Sequence, residues 1–178
     1  MIRTGLLLAA GASRRFGPAD KLLALVYGRP LVQHAADAMR RAPLDHRIAV
    51  IANPALRPLL TGFRIVEIIS KEQSDSLRAG LAEAGQPDRL VIALGDMPDV
   101  TPDLLAQVLD RTTHESPAAS HDGQRPMPPA CFPRAWLPRL ATSCGDRGAA
   151  GLLRDLPERR LVHAPALLRD VDLPNQIV

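Results

Sequence analysis

Short, nearly continuous apolar runs recur along the chain, separated by segments in which apolar residues return every three or four positions. The runs are Gly5 to Ala9, Leu22 to Val26, Arg47 to Ala52, Arg64 to Ile69 and Arg89 to Leu94. Apart from Leu22 to Val26, an apolar stretch punctuated by Gly28-Arg29-Pro30, each reads as a strand, and unbroken apolar character means a strand buried on both faces. Between them, Leu31, Ala35, Ala38 and Met39 mark a helix over 30–42, with Pro30 as its first helical position. A short helix near 55–60 follows the Asn53-Pro54 stop. Leu77, Ala79, Leu81 and Ala84 mark a helix from Ser74, and Thr101-Pro102-Asp103 is a cap-then-proline start for one reaching about Arg111. Strands alternating with helices in this way predict an α/β, Rossmann-like three-layer sandwich: a mostly parallel central sheet with helices on both faces.

The second half is less regular. Residues 113–133 are rich in Pro, Ser and Gly, with strands expected at 117–121 and 128–132; they read either as an acceptor-side insertion or as a long hairpin. Helices follow from Trp136 to Ala141 and from Gly145 to about Leu156, then a last strand from Arg160 to Ala164. No repeat or boundary interrupts the pattern, so residues 1–178 are expected to form a single domain.

Composition changes this picture little, and mainly by exclusion. The chain has 178 residues, 46% of them hydrophobic, with a formal charge of +3. Its basic residues are scattered and its aromatics number only three Phe, one Trp and one Tyr, which argues against nucleic acid and suits small anionic substrates. Cys131 and Cys144 form no C-x-x-C pair and are expected as free thiols in a reducing, cytoplasmic setting. The apolar start is short, lacks a cleavage pattern and reads as the first strand rather than a signal peptide; no stretch is apolar enough to predict membrane association. The five histidines (34, 46, 114, 121 and 163) lack zinc-site spacing, and Ser13 has no nucleophile-elbow setting.

The chemistry concentrates where the first strand ends. Ala10-Gly11-Ala12-Ser13-Arg14-Arg15-Phe16-Gly17 combines small residues, which let backbone N–H groups approach an anion, with arginines and then Lys21. The glycine spacing fits neither a Walker A loop nor a dinucleotide fingerprint. Among basic residues lysine occurs only at 21 and 71, so a lysine in this loop stands out. Asp96, in Gly95-Asp96-Met97-Pro98 just past a buried strand, either caps a turn or holds a hard cation such as Mg²⁺.

The string LAAGASRRFGPADKL resembles the signature loop of the nucleotidyltransferases with a glycosyltransferase-A-like fold, most closely the branch that attaches a nucleotide to the molybdenum cofactor. GDMP is similar to that family's metal-binding D-x-P element. Ser74 to Leu81 resembles its S-x-S-L-R-x-G-L stretch, Asp170 to Pro174 its terminal D-x-D-T-P segment, Gly123 to Phe132 its acceptor segment, and Gly145 to Ala149 its G-D-x-G-A. The resemblance implies a nucleotide-diphospho-sugar transferase-like fold with Lys21, Arg15 and Asp96 as catalytic residues. It implies nucleotide contacts from Leu8, Ala9, Ala10, Gly11, Ser13, Arg14, Lys21, Ser74, Ser76, Leu77, Gly80 and Asp96, and Mg²⁺ held by Asp96 and Asp172. Pro128, Gly145, Asp146 and Arg147 are the implied acceptor contacts.

The implied reaction transfers CMP from CTP to the terminal phosphate of a molybdopterin-type acceptor, releasing pyrophosphate, with a molybdoenzyme or its chaperone as onward partner. The L-A-A-G form at Leu8 to Gly11 resembles cytidylyl enzymes, whereas guanylyl enzymes carry L-A-G-G. Three alternatives stay open: a guanylyltransferase on the same cofactor, a cytidylyl or guanylyl transferase for an isoprenoid or sugar phosphate, and a non-catalytic carrier of the cofactor.

Overall fold

The computed structural model describes residues 1–11, 16, 20–69, 73–142 and 148–172. Its centre is β1 (Arg3–Ala9), flanked on both sides by parallel partners, β4 (His46–Ile51) and β6 (Arg89–Leu94). A two-stranded hairpin, β2 (Leu25–Val26) and β3 (Arg29–Pro30), intervenes in sequence and stands apart from the main sheet. β5 (Arg64–Glu67) adds to β4 in parallel, while β7 (Ala118–His121), β8 (Pro126–Pro133) and β9 (Leu161–His163) extend the other side. The seven-stranded order is β5-β4-β1-β6-β8-β7-β9, antiparallel only at β6–β8 and β8–β7.

Alternation along each central strand divides the core. Leu7, Ala49, Ile51, Val91 and Ala93 face one layer, with α1 (Leu31–Arg41) and α3 (Pro102–Arg111) packed on them. Leu6, Ile48, Val50, Leu90 and Ile92 face the other, under α2 (Gln73–Ala84) and α4 (Leu137–Ala141). A continuous apolar run thus serves two layers at once, as a period-2 pattern covered on both faces requires. The expected Rossmann-like sandwich is the fold found.

Most element ends agree with the sequence pattern. Thr101 caps α3, its Oγ1 accepting from the Leu104 amide at 3.2 Å. Pro30 is the residue before α1 rather than its first helical position, because its backbone is still extended in β3. The apolar 22–26 run splits into a 3₁₀ turn, Lys21–Leu23, and β2. The helix expected to reach Leu156 is, in its described part, a 3₁₀ turn over Gly148–Leu153. Cys131 is a free, buried thiol whose pKa burial pushes up to about 12, so it is inert. No helix among the described residues is long and apolar enough to cross a membrane.

Candidate active site

Parallel strands β1, β4 and β6 all release the chain at one rim of the sheet, the carboxyl rim, where open α/β sheets bind ligands. β1 ends at Ala9; Ala10 is buried and Gly11 exposed. The chain then reaches Asp20, whose carboxylate caps the 3₁₀ turn by accepting from the Leu22 amide at 2.9 Å. The other Asp20 oxygen accepts from Asn53 Nδ2 at 2.8 Å, and Asn53 itself caps the turn after β4. Loops from β1 and β4 are thereby tied together, and the tie fixes the next residue, Lys21.

Lys21 is almost wholly buried. Its Nζ donates to Asp96 Oδ2 at 2.7 Å and to Asp172 Oδ1 at 3.1 Å. Burial works against the ammonium charge, but Asp96 and Asp172 more than offset it and the lysine pKa is raised. Asp96 arrives through Gly95, whose amide donates to the Leu8 carbonyl at 2.9 Å and where a Cβ would sit 3.2 Å from that of Ala9. Buried Met97 then anchors the loop. The Asp96 carbonyl accepts from the Val171 amide at 3.0 Å, and fully buried Val171 pins the late segment to the same rim. This is how residues 21, 96 and 172 meet.

Two features mark the cluster as incomplete in itself. Asp96 Oδ1 is buried and has no hydrogen-bond partner, a costly state for a carboxylate oxygen unless something binds it. Next door, partial burial and then the charges of Asp172 and Asp96 push the Asp170 pKa up. Among the described residues, the Asp96, Asp170 and Asp172 carboxyls gather beside the Lys21 ammonium. Hard oxygen donors and an orphaned buried oxygen suit Mg²⁺ or Mn²⁺. Asp96 and Asp172 fit that role as a pair; among the described residues there is no cluster of three or more metal-ligating side chains. Two carboxylates, completed by phosphate and water, are what Mg²⁺ at nucleotide sites ordinarily uses.

Residues 5–162 match the sequence profile of the MobA-like NTP transferase domain. The chain belongs to this family. Among MobA-like relatives, a probable molybdenum cofactor guanylyltransferase of Natronomonas pharaonis is 31% identical over 137 residues, covering 73% of this chain and 64% of the relative. Nicotine blue oxidoreductase of Paenarthrobacter nicotinovorans is 33% identical over 168 residues, covering 86% and 82%. The crystal structure of Rv0371c from Mycobacterium tuberculosis superposes with a TM-score of 0.82 at 28% identity, covering 98% of this chain and 95% of that one. Rv0371c has also been crystallised as a complex with manganese. The chain thus spans just under two thirds of the first relative's length, and nearly all of Rv0371c.

The other predicted site residues that are described lie near this rim or in the core beneath it. Leu8 and Ala9 lie at the end of β1, Leu8 half-buried and Ala9 in the core. Ser74 and Ser76 are buried hydroxyls in the first turn of α2, which starts at the carboxyl rim. Leu77 and Gly80 face inward. Leu77 is buried in the core, and a Cβ on Gly80 would stand 2.5 Å from Leu6 Cδ1, so both seat α2 against β1. Ala10 is likewise packed within the core layer under α2. Pro128 is buried in β8, whose register on β6 brings the start of β8 towards the rim where β6 ends. Ser13, Arg14, Arg15, Gly145, Asp146 and Arg147 lie outside the described residues. Sequence reasoning missed Asp20 and Asn53, although an Asp before a short turn and an Asn before Pro54 are both capping signals. It also missed Tyr27, Asp99 and Arg169, which meet beside the cluster.

Proposed function

We propose that this chain transfers a nucleotidyl group from a nucleoside triphosphate to the terminal phosphate of a molybdopterin-type acceptor, releasing pyrophosphate. The observation that carries the reading is the Lys21 ammonium held between Asp96 and Asp172, beside an orphaned Asp96 oxygen, at the carboxyl rim of a MobA-like sheet. Mg²⁺ held by the two carboxylates would neutralise phosphate charge there. Lys21 supplies further positive charge to the phosphates. The acceptor phosphate is already anionic at neutral pH, so no protein group need take a proton from it. Catalysis then consists of positioning and charge neutralisation.

CTP is the proposed nucleotide, supported by the L-A-A-G form of Leu8 to Gly11 and by Ser74-Asp75-Ser76-Leu77, which resembles the cytidylyl form of the α2 start. GTP is the second reading, favoured by the guanylyltransferase name of the Natronomonas pharaonis relative. Ala10 bears on this choice only indirectly: its methyl is packed in the core, so any effect on base selection acts through the loop backbone. Pyrophosphate release from CTP or GTP with purified molybdopterin and Mg²⁺ tests the whole reading. The expected result is acceptor-dependent release with CTP preferred about tenfold or more in kcat/KM, a discrimination of about 1.4 kcal/mol. Preference for GTP would replace the nucleotide assignment alone. No release with either would overturn the transferase, in favour of a carrier or of redox chemistry like that named for the Paenarthrobacter nicotinovorans relative.

A further inference from the structure

The β2–β3 turn is made by two residues, Tyr27 and Gly28, with φ of +50° and +75°. Positive φ at both central positions is the signature of a type I′ hairpin, for which Asn-Gly is the favoured pair. Glycine suits the second place. A bulky aromatic in the first does not, because Cβ crowds the backbone there. Among the described residues Tyr27 is the one non-glycine with positive φ. Strain of this kind persists where the surrounding structure uses the residue, and the use is visible.

Tyr27 Oη donates to Asp99 Oδ1 at 3.3 Å and accepts from Arg169 Nη2 at 2.9 Å. Arg169 Nε donates to the remaining oxygen, Asp99 Oδ2, at 2.9 Å. The guanidinium carbon also lies 5.8 Å from the Tyr27 ring centroid. Three side chains thus close a ring that joins three separate segments. Asp99 stands three residues after Asp96, and Arg169 three residues before Asp172.

We propose that Tyr27, Asp99 and Arg169 are positioning residues, a clamp that holds Asp172 against Asp96 and so sets the affinity for the divalent cation. The proposal rests on the reading of Asp96 and Asp172 as the cation's holders. Of the two carboxylates, Asp172 needs such help. Asp96 leaves a central strand through packed Gly95 and buried Met97, whereas Asp172 belongs to a segment without regular secondary structure and its side chain is 42% exposed. Val171 fixes that segment's depth. Arg169 fixes its direction along the rim by bonding to the same loop that carries Asp96. A carboxylate so oriented pays less ordering entropy when a cation arrives, as with partners that orient metal ligands elsewhere.

The test is Mn²⁺ binding to the nucleotide-free chain, measured by electron paramagnetic resonance alongside thermal melting. Tyr27→Asn places the residue the turn prefers but removes the phenol. It should leave Tm unchanged or higher while weakening Mn²⁺ affinity by about tenfold, the low end of what an orienting partner contributes. Arg169→Met should weaken affinity similarly, and Arg169→Lys, which retains a charged donor, should recover part of the loss. A merely structural role would instead move Tm and affinity down together, and that result would overturn the clamp. Affinities within twofold of wild type in Tyr27→Asn and Arg169→Met, with Asp96→Asn abolishing binding, would overturn the clamp and leave the cation site standing. Mn²⁺ binding that survives Asp96→Asn would overturn both.

Discussion

The two rims of the sheet treat charge in opposite ways. At the amino rim, the Asp45 carboxylate accepts from the Arg3 amide at 2.7 Å and pairs with the Arg3 guanidinium at 3.3 Å. Asp88 accepts from the Ile2 amide at 2.6 Å and pairs with Arg134 at 2.9 Å. Arg47 donates to the carbonyls of Met39, Arg40 and Ala42 where α1 ends. Each of these side chains has hydrogen-bond partners, although the buried Arg160 Nε just before β9 has none. A groove of about 440 Å³ opens at this rim, yet Arg64 and Glu83 on its wall are already paired at 2.6 Å. At the carboxyl rim one ammonium serves two carboxylates, a third carboxyl has its pKa pushed up, and a buried oxygen has no partner. Paired charge stitches the amino ends of the strands together; at the carboxyl rim the described residues leave a buried carboxylate oxygen open to a ligand.

Substitutions at the carboxyl rim should change function far more than stability. Asp96→Asn should lower Mg²⁺-dependent turnover by roughly 10³ or more, matching the several kcal/mol a bound metal supplies, and an unchanged rate across a Mg²⁺ titration would remove Asp96 from the site. Lys21→Ala should cost on the order of 10²–10³ in kcat, the scale of one preorganised donor. It also leaves Asp96 and Asp172 facing each other without the ammonium between them, so its melting temperature should fall without divalent cation and recover when Mg²⁺ is added. Equal melting in both conditions would contradict the shared-charge picture.

At the amino rim the expectation reverses. Arg47→Met strips the end of α1 of three hydrogen bonds and should lower stability by about 1–2 kcal/mol in a urea titration, with kcat unchanged. The smallest effect concerns acid. A backbone hydrogen bond from Ile2 holds the Asp88 pKa below the usual carboxylate value, and the Arg3 side chain does the same for Asp45. A depressed folded pKa gives stability that is present above the unfolded value, about 3.9, and is lost as pH falls through the folded one. Asp45→Asn with Asp88→Asn should therefore flatten the acid limb of a pH–Tm profile below about pH 4 and leave the neutral region's slope unaltered. A limb as steep as wild type would show that other carboxylates carry it.

The fold was legible because strands buried on both faces write themselves as unbroken apolar runs. Arg89 to Leu94 matches β6 end to end. The hairpin at 25–30 was not, since two-residue strands carry no periodicity and Tyr27 is the wrong residue for its turn. Lys21 and Asp96 stood out chemically, one as a lysine in a chain that otherwise uses arginine, the other as an acid just past a buried strand. Their meeting with Asp172 depends on the Val171–Asp96 backbone bond, and nothing local in the sequence encodes a contact between residues so far apart. Leu77 and Gly80 illustrate the converse: a motif shared with a family mixes residues that can touch a ligand with residues that hold the helix in place, and only burial separates them.

The most direct test of the central claim is a crystal of the full chain grown with CTP and Mn²⁺, with anomalous scattering collected at the manganese edge. The account predicts a manganese peak bonded to Asp96 and Asp172, one ligand being the Asp96 Oδ1 oxygen that has no partner in the free chain, and the Lys21 ammonium moved onto the nucleotide phosphates. A peak elsewhere, or CTP bound with Lys21 still bridging the two carboxylates, would contradict it.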